Sequence, residues 1–420
     1  MNERAIRLVI RDPDLERSRL TAAFRLFLAI PHFIWLALWF SLATLVVIAS
    51  WIATLITRTP PPMFSRFLSS YVRYAAHVVA YTSLAANPYP GFAGRAGSYP
   101  IDLEIDDPGE QNRWVTGFRL FLALPAILLA DTLLGFGTSF SGGWGTQVGG
   151  IVATGAFLGW FAALFRGRMP EGLRDMIAYA VGYSSQVNGY LFLLTSRYPN
   201  SDPAFYESAN VVRDDPISLN VEDDLKRSRL TVGFRILLAV PHIVWLVLWG
   251  IAVVFAAIAN WFVALFGGRP SESLTRFLGA YLRYETHVLA YVQLVANPFP
   301  GFVGAAGSYP VDPDLPGAVE AQPRLVTGFR IFLAVPALLV ASALGGAAFV
   351  AALLSWFYAL ARGEVPRGLR NLGAYALRYS AQTYGYLYLL TDRYPYAGPS
   401  AGRQLRLSPV SGGPATPQEI

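Results

Sequence analysis

The chain contains no cysteine among its 420 residues. That excludes disulfide cross-links, thiolate nucleophiles and cysteine metal sites, and it leaves the compartment open. Charge is also scarce: Asp, Glu, Lys and Arg make up 14% of the residues, against about a quarter in an ordinary soluble domain. Histidine occurs four times, with no HxH, HxxxH or HExxH pair to hold a metal. There is no phosphate-binding Walker loop, no dinucleotide fingerprint and no dense basic tract. No cofactor and no nucleic acid is therefore expected, and no reaction class has positive support, so the reading leans away from an enzyme. The N-terminal stretch MNERAIRLVIRDPDLERSRL is charged and lacks the early apolar core of a signal peptide.

What the chain does have is apolar length. Hydrophobic residues make up 54% of it, gathered in blocks. After Arg25 the run to Thr57 carries no formal charge over 32 residues. About 20 such residues suffice to cross a hydrocarbon core of about 30 Å. The expectation is an all-helical integral membrane protein, multi-pass, in a bacterial cell membrane.

The run is one of four. RSRLTAAFRLFLAIPHFIWLALW from Arg17 returns as RSRLTVGFRILLAVPHIVWLVLW from Arg227, an offset of 210 residues without a gap. WVTGFRLFLALPAILLA from Trp114 and LVTGFRIFLAVPALLVA from Leu325 begin the intermediate copies. Copies one and three form one type, and copies two and four another, an A-B-A-B order that suggests a duplicated two-unit precursor. The units are read as 1–100, 101–210 with a Gly-rich insertion at 135–150, 211–310 and 311–396, followed by a disordered tail at 397–420.

Each copy reads as extended arm, apolar segment, basic loop, amphipathic helix and a Tyr-Pro or Phe-Pro stop. IRLVI, IDLEIDDP and ISLNVEDD alternate like short strands. Their acids match no calcium loop and are expected to be solvated. Pro31, Pro125, Pro241 and Pro336 interrupt the apolar segments. Proline removes a helix hydrogen bond, so each repeat is read as a long kinked hydrophobic segment plus an amphipathic helix, with 20–30 as an entering helix, 33–57 as the main span and the kink near Pro31; a kinked helix, a re-entrant pair and two tightly joined spans all fit the pattern. In copy two the insertion either separates two spans or loops out of one broken helix.

The second helices carry the polar pattern. Tyr74, His77 and Tyr81 fall at spacings of three and four, and Tyr284, His287 and Tyr291 repeat them. Copies two and four hold Tyr183, Gln186, Tyr190 and Tyr379, Gln382, Tyr386. These spacings share one helix face. Glutamine cannot titrate near neutral pH, so a packed polar stripe is favoured over a proton relay. Arg73, Arg283 and Arg378 lie inside these helices, with Gly182 in copy two, and suit a buried ion pair or polar cavity. His32 and His242 follow the prolines of copies one and three, where local capping or interface contact is expected. Arg25, Arg119, Arg235 and Arg330 precede each apolar block as membrane-edge anchors or lipid-phosphate contacts. Asp131 is the single acid deep in an apolar segment and a candidate for ion or substrate handling.

DP…RSRLTAAFRLFLAIPH, the GGRP-type loop, YLRYETHVLAYVQLVANPFP and the endings LTSRYP and LLTDRYP together resemble a bacterial membrane family, domain of unknown function 4389. The resemblance covers most of residues 4–396, implies an integral membrane protein, and carries over no catalytic residue. The expected role is a membrane scaffold or interaction protein meeting lipids, other membrane proteins or copies of itself. A transporter or channel using the Tyr/His stripe is the alternative, and an intramembrane enzyme ranks third.

Overall fold

A computed structural model describes residues 4–11, 14–135, 149–203, 215–317, 321–399 and 405–407. Most of the insertion and of the tail lies outside these. Helices dominate. The long ones are α1 (Arg19–Thr57), α7 (Arg229–Gly267) and α9 (Arg324–Arg362), each of 39 residues. All three are long and apolar enough to cross a membrane. In copy two the same length is divided among α3 (Arg113–Gly117), α4 (Arg119–Leu134) and α5 (Ile151–Arg166). The second helices are α2 (Pro62–Thr82), α6 (Glu171–Leu191), α8 (Glu272–Val292) and α10 (Arg367–Leu387), each of 21 residues.

The prolines do not divide the long helices. Pro31, Pro241 and Pro336 lie inside continuous helices, and Pro125 lies inside α4. Each of the four is exposed, and the next residue (His32, Ala126, His242 or Ala337) is buried. The missing hydrogen bond therefore falls on the outer side, while packing on both sides of the proline holds the helix together. The long helices end where a residue turns left-handed: Arg58, Gly167, Gly268 and Gly363, with φ of 64°, 67°, 76° and 76°.

In copy two α4 and α5 meet at their ends, and both pack against α6. Gly135 and Gly150 meet so closely that a Cβ on Gly135 would lie 2.0 Å from the Gly150 nitrogen.

The buried stripe of α1 is narrow: Ala22, Arg25, Ala29, His32, Ala43, Ser50 and Thr54. Small side chains at seven-residue intervals let α2 lie close along it. α1 and α2 run antiparallel, from Arg25 beside Tyr81 to Trp39 beside Phe67 and Tyr71. The long elements form a row in the order α1, α5, α9, α7, with α4 also against α9. Neighbours are antiparallel, since the Arg17 N–H donates to the Gly167 carbonyl and the Gln111 N–H to the Arg58 carbonyl. Indoles tie the row together: Trp51 donates to the Thr116 carbonyl, Trp261 to Thr327 and Trp356 to Val232.

The second helices form a layer against this row, in which α2 meets α6 and α8 meets α10. Tyr179 and Tyr375 meet edge to face across the middle, their ring centroids 6.2 Å apart. A third layer is made by the arms. β1 (Ile6–Ile10) pairs antiparallel with β2 (Ile101–Ile105), Leu8 opposite Leu103. β3 (Ser218–Val221) pairs antiparallel with β4 (Val311–Asp314), Val221 opposite Val311. β5 (Leu405–Leu407) adds to β3 in parallel, so this part of the tail is a strand, contrary to the expected disorder. The first sheet covers α2 and α6, and the second covers α8 and α10. Glycines make the seats. A Cβ on Gly189 would lie 2.0 Å from Ile6 Cδ1, and one on Gly385 2.2 Å from Ile217 Cδ1.

Candidate functional site

Four arginines repeat one geometry. Arg25 donates from Nη1 to the carbonyls of Tyr81 (2.9 Å) and Ala86 (2.8 Å), and from Nη2 to Asn87 Oδ1 (3.0 Å). Its guanidinium stacks 4.5 Å from the centre of the Tyr81 ring. Arg235 does the same with Tyr291, Ala296 and Asn297. Arg119 holds Tyr190, Thr195 and Gln111, and Arg330 holds Tyr386, Thr391 and Gln322. The structure places all four inside the protein, at most 2% exposed. Each cation sits at the C-terminal end of its copy's second helix, where unpaired carbonyls concentrate negative charge. The turn they grip holds a leucine in the left-handed region: Leu84, Leu193, Leu294 and Leu389, with φ between 61° and 65°. That conformation strains any residue but glycine, and the arginine's hydrogen bonds on both sides of the turn help to hold it.

The expected stripe residues all lie on the second helices and are all buried. In copy one they are divided among separate partners. Tyr74 meets the His32 ring, with Tyr74 Oη 2.6 Å from His32 Nδ1. His77 meets Asp102, with Nε2 2.8 Å from Oδ1. Tyr81 meets Arg25. Copy three repeats this with Tyr284 and His242 at 2.7 Å, His287 and Asp312 at 2.7 Å, and Tyr291 with Arg235. In copies two and four the glutamines bind the main chain. Gln186 Oε1 accepts from the Asn200 N–H, while Gln382 accepts from the Tyr396 N–H and donates to the Ile217 carbonyl. Tyr183 and Tyr379 are enclosed beside them, and Tyr190 and Tyr386 carry Arg119 and Arg330.

Asp102 corrects the solvated-arm expectation, and Asp312 is its counterpart in copy three. Asp102 is buried on β2. Arg73 Nε lies 3.4 Å from its Oδ1, and the Gly97 N–H donates to Oδ2. Burial works against this carboxylate, but the hydrogen bonds from His77, Leu103 and Gly97 outweigh it and hold its pKa below the usual value. Arg283 and Gly307 play the same parts around Asp312. The signal was present in the sequence. Both histidine copies carry an aspartate 25 residues further on, while the glutamine copies have Val211 and Leu407 there. Arg378 turns to the Gly398 carbonyl, and Gly182 leaves room for Leu8 of β1.

Asp131 is exposed near the end of α4, one turn before Gly135. It joins none of these clusters. Among the described residues, no three His, Asp or Glu groups converge as a metal ion requires. His32 and His77 have different partners, Tyr74 of α2 and Asp102 of β2, as do His242 and His287, with Tyr284 of α8 and Asp312 of β4.

The two halves are joined by an exchange of loops. Asp202, after α6, accepts from Asn371 of α10 at 2.8 Å, and Tyr396, after α10, donates to Asp175 of α6 at 2.6 Å. A crevice of about 880 Å³ opens where α1 ends against α3, lined by Trp51, Leu55, Arg58, Gln111, Arg113 and Trp114.

No curated protein and no solved structure matches the chain. One family pattern does, and it matches four times, over residues 19–93, 146–201, 229–303 and 324–397. Three of the matches start with a long helix and the second starts shortly before α5; each ends after its second helix, and together they cover more than half of the chain. The protein therefore belongs to the family defined by domain of unknown function 4389, as four tandem copies.

Proposed function

We propose that this protein is a membrane-embedded scaffold, built by duplication of a two-copy unit. One observation carries the reading: the long-helix row is apolar and open, while the polar interior is closed. Phe24, Phe27, Ile34, Leu45 and Ile52 of α1 are all more than half exposed, as are Phe234, Leu248, Val254 and Phe255 along α7. An apolar face this large on a soluble monomer would drive association. In a bilayer it is the solvated surface. The Tyr, His, Gln and Arg groups that a transport path would use are instead paired within the protein. α1 and α7 stand at the two edges of the row, and their open flanks suit lateral contact with another membrane protein or a second copy.

Two measurements test this. The protein should stay with membranes through an alkaline carbonate wash, and sealed proteoliposomes should pass small ions no faster than empty ones. Release by carbonate sinks the membrane reading. Flux that falls on replacing His77 and His287 with Gln would favour a transporter instead.

A further inference from the structure

The length of α1 does not fit a crossing. Its exposed apolar residues run from Leu20 to Ile56, a rise of about 54 Å. A hydrocarbon core is about 30 Å thick. Crossing with that whole length immersed needs a tilt of nearly 60°, beyond the roughly 0–40° seen for membrane helices.

The partners of α1 fit a crossing still less. At its middle, the Trp35 indole donates to the Phe92 carbonyl. Three residues on, the same loop exposes Arg95. Arg73, on the adjoining stretch of α2, donates to the Gly94 carbonyl and lies against Asp102. The sheet over this stretch carries an outward ion pair between Arg7 and Asp106, 3.1 Å apart. In an upright helix pair these charges and this strand backbone would lie at mid-bilayer, the costliest place for both. Copy three repeats the arrangement through Trp245, Phe302, Arg283 and Asp312. Polar segments also flank both ends of α1, at Asp14 and Glu110.

We infer that the row of long helices lies along the membrane plane and is immersed in the acyl chains of a single leaflet, with the second helices and sheets on the aqueous side. The inference rests on the membrane reading above and specifies its geometry. One face of the row is apolar from end to end, and α2, α6, α8 and α10 pack against the other, under the two sheets. At about 10 Å per helix, four helices side by side make a raft of roughly 40 by 58 Å. Amphipathic helices bind membranes in this mode, one face in the acyl boundary and the other wet. Here the wet face is built from separate elements, so the long helices can be apolar almost all round.

The absence of cysteine makes the test direct. Asp14→Cys, Arg95→Cys and Glu110→Cys, made singly in the full chain, mark the start, middle and end of α1. Ala96→Cys replaces the middle probe if Arg95→Cys melts below the parent. Each variant is treated with a membrane-impermeant maleimide in sealed vesicles of one orientation. All three positions should react from the same side, to extents within about twofold. Reaction of Asp14→Cys and Glu110→Cys from opposite sides would overturn the inference, as would protection of the middle probe while both ends react. Either result leaves the membrane reading intact, whereas release of the parent by carbonate removes that reading itself.

Discussion

Replacing Arg25 with methionine keeps much of the side-chain volume and removes the guanidinium. Three charge-assisted hydrogen bonds disappear, and the carbonyls of Tyr81 and Ala86 lose a buried donor. An orphaned buried carbonyl costs about 1–3 kcal/mol. The lost stacking over Tyr81 adds about 1 kcal/mol, and the new apolar contacts return part of the total. The expected loss is about 3–5 kcal/mol. Arg25→Lys should cost almost as much, because one ammonium cannot reproduce the fork that spans both carbonyls and Asn87. The assay is urea unfolding in detergent micelles without lipid, followed by tryptophan fluorescence. Lipid-free conditions separate this role from headgroup anchoring, which would leave stability in detergent unchanged. Arg119→Met, Arg235→Met and Arg330→Met should each fall within about 1 kcal/mol of Arg25→Met, since the geometry repeats. A loss below about 1 kcal/mol for Arg25→Met would refute the reasoning, and so would a loss that appears only with anionic lipid.

Three further outcomes are expected. Asp102 is held below the ordinary carboxylate pKa of about 4, so its contribution is complete above pH 4 and is lost as the pH falls through its lower folded value. Asp102→Asn should therefore lose stability at pH 7 and show a flatter decline below pH 4; an unchanged acid limb would contradict this. Glu285 faces Tyr281, Tyr384 and Tyr388, one of its buried oxygens has no partner, and burial pushes its pKa up to about 7. The fold favours its neutral form, so that contribution fades as the pH rises from about 4.5 through 7, and Glu285→Gln should stabilise the protein by about 1–3 kcal/mol at pH 8 with little effect at pH 4; equal melting curves at both pH values would count against it. Gly385→Leu fills the seat of Ile217 and should cost about 1–3 kcal/mol, with faster hydrogen exchange in β3 and β4 but not in β1 and β2; uniform acceleration would show that the seat is not local.

The repeats, the long helices, the second helices and three of the strands were legible in the sequence. Apolar runs and turn residues are local signals, and a fourfold repeat lets each copy check the others. The arginines were placed correctly along the chain, yet their partners were not. Arg25 and Tyr81 are 56 residues apart, and nothing in either segment alone says that the guanidinium turns inward. Of the forms the prolines left open, the continuous helix is the one observed, because propensity counts the missing hydrogen bond and not the packing on either side of it. Asp102 was read as solvated because its strand looks amphipathic, while burial against His77 depends on a loop that folds back over α2. Orientation was the least legible feature. A run of 32 uncharged residues satisfies the length rule for crossing a bilayer, and only the layers stacked beside it argue for lying flat.

The most direct measurement is the depth of one face of α1 in the bilayer. Phe27, Ile34, Leu45 and Ile52 fall on that face at intervals of seven and eleven residues, and all four are exposed. Spin labels placed one at a time at these positions, in proteoliposomes, would be read by their relative accessibility to oxygen and to a nickel chelate. The account predicts four depths equal to within a few ångströms, all within one leaflet. A depth that passes through the bilayer centre between Phe27 and Ile52 would contradict it.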